Sequence, residues 1–402
     1  FSRGHICAKA VALKDIHQDP DRLRMPVRRV GTDYEEIGWD EAFDEAASRL
    51  KDIRDRHGRD SLAVYLGNPS VHNWGTLLYG PMFLKALAPG NRFSATSVDQ
   101  LPHHLAAYLM FGHQLLLPVP DIDRTDYLLM IGANPLVSNG SLMTVPDVRH
   151  RLRELRARDG RLVVVDPRRT ETASVADEHL FIRPGTDALF LAALVHTLFD
   201  EALVRPGRLE PFTDGIHLVR LHVRPFSPEA VAPAVGIEAE RIRAVARDFA
   251  TADAAVAYGR MGVSVQEFGG LCQWLVNVLN ILTGNLDRPG GSMFTRPAVD
   301  LLQFRGPGSY DRFRSRVRGL PEFGGELPSA AMAEDMLAGG EDRIRGMVTV
   351  AGNPVLSTPN GRQLDEALAG LDFMVSVDFF VNETTRHANI ILPPTSALEH
   401  DH

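Results

Sequence analysis

Short apolar runs bounded by glycine, asparagine and proline recur along the chain, and each leads into a stretch with helical spacing. Ser61–Gly67 (SLAVYLG) reads as a buried strand ending in Gly67-Asn68-Pro69. A helix through Leu77–Leu87 and a second strand-like run, Arg92–Val98, follow. Asp126–Ile131 (DYLLMI) repeats the pattern, ending in Gly132-Ala133-Asn134-Pro135. A helix over Val148–Arg158 then stops at Gly160, and Arg161–Val165 (RLVVV) ends in Asp166-Pro167. Met347–Ala351 opens a third copy through Gly352-Asn353-Pro354. It continues into a helix carrying Leu364, Ala367, Leu368 and Leu371, then the strands Phe373–Val377 and Asn389–Leu392. Nearly continuous apolar strands alternating with helices predict parallel sheets covered on both faces. The fold class expected is therefore α/β, multi-domain, with Rossmann-like parallel sheets.

The remaining pattern fills in around these units. Phe1–Gly31 is basic and reads as a small loop-and-strand layer. Asp40 is a plausible N-cap for a helix with the stripe Phe43, Ala46, Ala47 and Leu50, closed by Gly58. Helical segments run from Thr186 to Ala250. A strand at Ala254–Arg260 precedes a long apolar helix, Gly269–Thr283. About Gln303 to Asp342 is rich in glycine, proline and charge and reads as an irregular connection.

Composition narrows the function. A chain of 402 residues exceeds a single core, so more than one domain is expected. A net charge of −8 argues against a nucleic-acid partner, which needs a basic face. The arginine-rich run Arg149–Arg158 interleaves with Val148, Leu152 and Leu155 and reads as a solvated helix face. Two cysteines, Cys7 and Cys272, make no disulfide framework, so a reducing, cytoplasmic compartment is the expectation. The longest apolar run, Leu189–Leu198, is too short for a transmembrane segment and carries His196. The first residue is not Met, and truncation at both ends is expected.

In an open parallel sheet, ligands bind beyond the carboxyl ends of the strands. Glycine there admits close approach of a phosphate, asparagine offers an amide, and the following helix start favours negative charge. Such turns suit a nucleotide diphosphate; each taken alone is also ordinary turn chemistry. Asp166 is placed to accept from a ribose or a base, or simply to make a strand-end turn. Arg168 and Arg169 follow and are able to pair with phosphate. The G-x-G-x-x-G fingerprint of NAD or FAD folds is lacking.

Taken together, these residues resemble the dimethyl sulfoxide reductase family of molybdopterin oxidoreductases, which includes formate dehydrogenases and nitrate reductases. The matching stretches are Gly4–Ala10 (GHICAKA), Gly38–Ala42 (GWDEA), Gly132–Pro135, Val165–Ala173 (VDPRRTETA), Ala176-Asp177, Pro184–Asp187 (PGTD), Leu282–Gly291 (LTGNLDRPGG), Gly352–Pro354, Glu383–Thr385, Ala388–Pro393 (ANIILP) and Glu399. The resemblance implies a molybdenum bis-molybdopterin guanine dinucleotide cofactor and a [4Fe–4S] cluster. Cys7 would be the last of four cluster cysteines, with Lys9 as an electron relay between cluster and pterin. Gly132, Asn134, Asp166, Arg168 and Thr170 would contact one dinucleotide, and Asp187, beside Gly185, would read a guanine or support its loop. Gly352 and Asn353 would face the other, with Asp378 and Thr384 nearby.

The loop that presents a metal ligand in that family is here Ser97–His104 (SVDQLPHH). Aligned on Pro102, the ligand position falls on Asp99, a hard oxygen donor, and a slip of one residue would place Gln100 there. His103 and His104 are candidate proton carriers. The bland alternatives are an N-cap for Asp99, a helix-start surface for the histidines and a buried small hydrophobe for Cys7; Cys272 reads as core. The resemblance divides the chain into a cluster layer (1–59), a first Rossmann-like domain (60–120 plus 340–402) and a second (121–339). It implies a two-electron oxidoreductase acting on a small-molecule substrate, with an electron-transfer subunit or ferredoxin as possible partner. A non-redox molybdenum or tungsten hydratase and a metal-free electron-transfer or scaffold subunit are the rivals.

Overall fold

The computed structural model describes residues 3–143 and 145–401. The chain divides into two compact units, one of Phe1–Ala10 with Asp99–Pro307 and one of Val11–Val98 with Gly308–His402. In chain order the strands are β1 (Val27–Val30), β2 (Asp33–Glu36), β3 (Leu62–Leu66), β4 (Asn91–Ser94), β5 (Pro118–Pro120), β6 (Tyr127–Ile131), β7 (Arg161–Val165) and β8 (Glu178–Leu180). They continue with β9 (Ala255–Gly259), β10 (Ser292–Phe294), β11 (Tyr310–Arg314), β12 (Pro321–Phe323), β13 (Gly346–Val350), β14 (Phe373–Val377) and β15 (Ile390–Leu392).

The first unit is built on a four-stranded parallel sheet, order β8-β7-β6-β9. Its central strand β6 is wholly buried, and alternate residues serve opposite faces. Tyr127, Leu129 and Ile131 pack with the helices Asp187–Asp200, Ala239–Thr251 and Gly269–Leu282. Leu128 and Met130 pack with Val148, Leu152 and Leu155 of the helix Val148–Ala157. Each such apolar side chain contributes roughly 1.5–3 kcal/mol by leaving water, which is why strands with no polar face form here. Arg149, Arg153 and Arg156 are exposed on that helix, as a solvated face requires, whereas Arg151 is largely enclosed beside Asp123 and Arg158 donates to the Ile122 and Thr125 carbonyls.

The second unit carries a seven-stranded sheet, order β2-β1-β15-β14-β13-β3-β4. The run β15 to β4 is parallel, and the β1–β2 hairpin adds antiparallel to β15. The early loop-and-strand segment is thus tied to this sheet by Val27 opposite Ile391 and Arg28 opposite Ile390. Ala63, Tyr65, Met347 and Met374 face one side; Leu62, Val64, Val348, Phe373 and Val375 face the other, against Ala42, Ala46 and Leu50.

Two local expectations change. The helix over Trp39–His57 is capped by Gly38, and Asp40 lies inside its first turn, where its charge suits the dipole. Its buried stripe is Ala42, Ala46 and Leu50, leaving Phe43 51% exposed beside Trp39. The segment 303–342 is less irregular than its composition suggests. It contains the β11–β12 hairpin and the helix Met332–Leu337, pinned by the fully buried Glu322 carboxylate, which accepts from Ser309 Oγ and the Arg312 and Gly325 amides.

Candidate functional site

The Gly-Asn-Pro turns stand at the carboxyl ends of their strands, and the structure explains their glycines by packing. β3 and β13 are neighbours, so Gly67-Asn68-Pro69 and Gly352-Asn353-Pro354 lie side by side, with the Gly67 amide donating to Val350 O at 2.8 Å. A Cβ on Gly67 would stand 1.8 Å from Ala351 O, and one on Gly352 would stand 2.7 Å from the Tyr65 ring. In the first unit, Gly132 (φ +56°) abuts Gly262 in the turn after β9, and a Cβ on Gly132 would stand 2.8 Å from the Gly262 Cα. The short helices that follow, Pro135–Ser138 and Pro354–Ser357, are single turns. Few peptide dipoles align in them, so the favourable helix start expected there is weak.

Each unit holds its asparagine in the same way. Asn134 Nδ2 donates to Glu171 Oε2 at 2.7 Å, while its Oδ1 accepts from Thr172 Oγ1 at 2.8 Å and the Thr172 amide at 3.2 Å. Asn353 Nδ2 donates to Glu383 Oε2 at 2.7 Å, and its Oδ1 accepts from Thr384 Oγ1 at 2.7 Å. Thr172 Oγ1 accepts the Leu136 amide, and Thr384 Oγ1 accepts the Val355 amide. Asp166 and Asp378 each turn the chain by accepting an amide two residues on, from Arg168 at 2.8 Å and Phe380 at 3.2 Å. Thr170 is buried and caps the Ala173 amide at 3.0 Å, whereas the Arg168 side chain is exposed, 3.6 Å from Glu171. The acidic partners Glu171 and Glu383 sit inside motifs that carry the resemblance, and only the fold brings each to its asparagine.

Gly185 (φ +82°) has open space where a Cβ would go. Asp187, two residues on, is buried and accepts from Gln266 Nε2 at 2.9 Å. Burial pushes its carboxyl above the usual range, with the Gln266 hydrogen bond opposing. Gln266 Nε2 also donates to Gly262 O at 3.0 Å, which ties Asp187 to the Gly132–Gly262 turns. Gln266 Oε1 is buried without a hydrogen-bond partner. A buried acceptor left open beside a buried carboxylate fits a donor-rich ligand edge, such as that of a guanine.

The loop before the helix Leu101–Phe111 is organised by an ion pair. Arg260, just after β9, donates from Nη1 to Asp99 Oδ1 at 2.6 Å and from Nη2 to Oδ2 at 3.3 Å, and its Nε donates to Ser141 Oγ at 2.8 Å. Asp99 is therefore not an N-cap; Gln100 holds that position, and its Nε2 donates to His104 Nε2 at 3.1 Å. Neither histidine is a surface residue. His104 is buried with Nδ1 donating to Gln114 O at 2.7 Å; His103 is partly buried with Nε2 donating to Gly259 O at 2.9 Å. Gln273 donates to Ser264 Oγ, which faces His103 Nδ1 at 3.4 Å, so the His103 tautomer is set from both sides. Burial holds His103 down at about 4 and lowers His104 as well. Both rings are neutral near pH 7, with their N–H groups committed to backbone carbonyls.

Cys7 is half-buried and Lys9 exposed, and among the described residues no group of three or more His, Cys, Asp or Glu is arranged to hold a metal ion. Cys272 lies in the apolar core between helices, where burial pushes its thiol up to about 12. The cysteines of this sequence do not by themselves fit a four-thiolate cluster. Among the described residues no helix is long and apolar enough to cross a membrane.

Two parallel sheets, each with helices on both faces and glycine-asparagine-proline turns at its carboxyl edge, define a doubly wound α/β architecture. Residues 22–402 match the Molybdopterin oxidoreductase family, and the chain belongs to it. It is 25% identical to the assimilatory nitrate reductase catalytic subunit of Bacillus subtilis, over 99% of this chain and 58% of that protein. It is 26% identical to formate dehydrogenase H of Escherichia coli, over 100% of this chain and 58% of that protein. The acetylene hydratase of Pelobacter acetylenicus superimposes with a TM-score of 0.81 at 23% identity, covering 98% of this chain and 59% of that one; this likeness shows the fold. The chain thus spans less than two thirds of the length of these relatives.

Proposed function

We propose that this chain is the cofactor-holding part of a molybdenum- or tungsten-dependent oxidoreductase carrying a bis-pterin guanine dinucleotide. The reading rests on family membership, and the observation in the structure that carries it is the open acceptor of Gln266 beside buried Asp187. In the first unit Gly132, Asn134, Asp166, Arg168, Thr170, Gly185 and Asp187 would hold one dinucleotide, with Asp187 and Gln266 accepting from the guanine edge. In the second, Gly352, Asn353, Asp378 and Thr384 would hold the other. When bound, the metal would supply two-electron oxo or hydride exchange with a small substrate.

The chain's own contribution at Asp99 is electrostatic. Arg260 keeps the carboxylate paired and oriented, while His103 and His104 stay neutral and hold backbone carbonyls in place. Asp99 offers an oxygen to a metal only by sharing it with Arg260. That engagement favours, as a second reading, a metal-free homologous subunit. A [4Fe–4S] cluster at Cys7, with Lys9 as relay, needs three further thiolates, whereas this sequence holds one other cysteine, the core residue Cys272, and no step through it follows from the residues present. Electrons would be exchanged with a separate electron-transfer subunit or ferredoxin.

Metal analysis of the full-length protein decides between the readings. About one molybdenum or tungsten per chain, with guanine nucleotide released by acid, supports the enzyme; nucleotide-free, metal-free protein sinks it. A redox-dye assay against formate, nitrate, thiosulfate and sulfoxides then identifies the substrate class, and product formed from acetylene with no dye turnover points to a hydratase.

A further inference from the structure

The two asparagine clamps are the same device built twice. In each unit a strand ends in aspartate, the chain turns, and a Glu-Thr pair follows at one constant spacing: Asp166 to Glu171-Thr172 and Asp378 to Glu383-Thr384. The correspondence runs further. Asp177 Oδ2 accepts the Leu162 amide at 2.8 Å, and Asn389 Oδ1 accepts the Met374 amide at 2.9 Å, closing the same loop in both units.

Donor and acceptor chemistry fixes what the clamp does. A carboxylate only accepts, so Glu171 and Glu383 compel the asparagine to turn its NH2 toward them. The threonine hydroxyl, and in the first unit the Thr172 amide as well, occupies Oδ1. Each asparagine keeps one N–H held in a fixed direction. For Asn134 that N–H is the whole of its free capacity, so it faces a ligand as a donor only, which suits phosphate or carbonyl oxygen; Asn353 keeps one Oδ1 lone pair as well. Holding the glutamates there has an electrostatic cost. Glu171 is half-exposed, its side chain 54% accessible, and both are ionised carboxylates that the asparagine hydrogen bond holds below the usual range. An anion beside an edge meant for diphosphates repels the ligand, so its presence in both units calls for a compensating role.

We infer that Glu171 and Glu383 are positioning residues, each orienting its asparagine amide, Asn134 or Asn353, so that the amide donates to a bound nucleotide tail. The inference rests on the proposed function. It separates from a purely structural role because the carboxylates are exposed and anchor no core, so their loss leaves the fold intact.

The test uses full-length protein from cells supplied with molybdate, comparing the parent with Glu171→Ala, Glu383→Ala, Glu171→Gln and Glu383→Gln. Nucleotide per chain is measured by acid release after gel filtration, and the thermal midpoint is measured on cofactor-free protein. The alanine variants should retain at least about fivefold less nucleotide per chain. The glutamine variants, whose side-chain oxygen still accepts from the asparagine, should stay within about twofold of the parent. All cofactor-free midpoints should agree within about 2 °C. Alanine variants that retain nucleotide like the parent overturn the inference, as do midpoints that fall in step with the loss. A parent that holds no nucleotide overturns the proposed function as well, which distinguishes the two failures.

Discussion

Asp99 and Arg260 face each other through two hydrogen bonds, 2.6 and 3.3 Å long, joining the loop before one helix to the end of strand β9. Arg260 is the more enclosed partner, its side chain 12% accessible against 35% for Asp99. Removing the carboxylate strands a guanidinium away from water, so Asp99→Asn should cost more than a typical surface pair, about 1–2 kcal/mol after allowance for the exposure of Asp99. Arg260→Met also loses Ser141. The double variant should recover part of the loss, by about 1 kcal/mol, in a thermal-melt cycle. Strictly additive single effects would show that the pair does not interact.

The turn glycines give a graded prediction. Gly132→Ala meets the Gly262 backbone at 2.8 Å and also needs φ +56°, so it should destabilise by about 2–4 kcal/mol. Gly185→Ala has the same left-handed backbone but open space, and should cost only about 1–2 kcal/mol. Melting temperatures must rank parent, then Gly185→Ala, then Gly132→Ala; equal losses would refute the packing account.

His103 predicts a pH effect of definite sign. Its native value is about 4, well under the ordinary 6.5, chiefly because burial disfavours the charged ring. The unfolded chain therefore takes up this proton first as pH falls. The stability His103 confers is complete above about 6.5 and is lost progressively down to about 4, amounting to roughly 3 kcal/mol. In His103→Gln the fall in thermal midpoint between pH 7 and pH 5 should be shallower than in the parent. An unchanged slope would assign the acid sensitivity to other groups.

The two thiols should differ sharply. Cys272 is fully buried with its thiol pushed to about 12, whereas Cys7 is half-buried. Of these two cysteines, a thiol reagent at pH 8 should label Cys7 alone in the folded, cofactor-free protein and both in denaturant. Rapid labelling of Cys272 in the folded state would mean the helix Gly269–Leu282 opens readily.

What the sequence made legible follows from the range of each interaction. The strands β3, β6, β7, β13 and β14 announce themselves because burial on both faces forces continuous apolar runs. The Gly-Asn-Pro turns mark where those runs must stop. The helix Trp39–His57 is capped at Gly38 rather than Asp40 because the backbone angle, which side-chain preference does not reveal, decides the cap. Phe43 points outward because an apolar side chain need not be buried. The Asp99–Arg260 pair was invisible, since the partners are distant along the chain and no local pattern pairs them. Glu171 and Glu383 were in view inside recurring Glu-Thr motifs, but their role depends on an asparagine more than thirty residues earlier in one unit and thirty in the other.

The back-to-back glycines at 67 and 352 constrain how this chain is able to change over generations. Every single-nucleotide route out of glycine adds at least a Cβ, and at 67 that atom would fall on the Ala351 carbonyl. That obstacle is backbone, which no substitution removes, so drift that rewrites the surrounding strands must leave the glycine at 67 in place; at 352 the obstacle is the Tyr65 ring, and a smaller residue at 65 would have to come first.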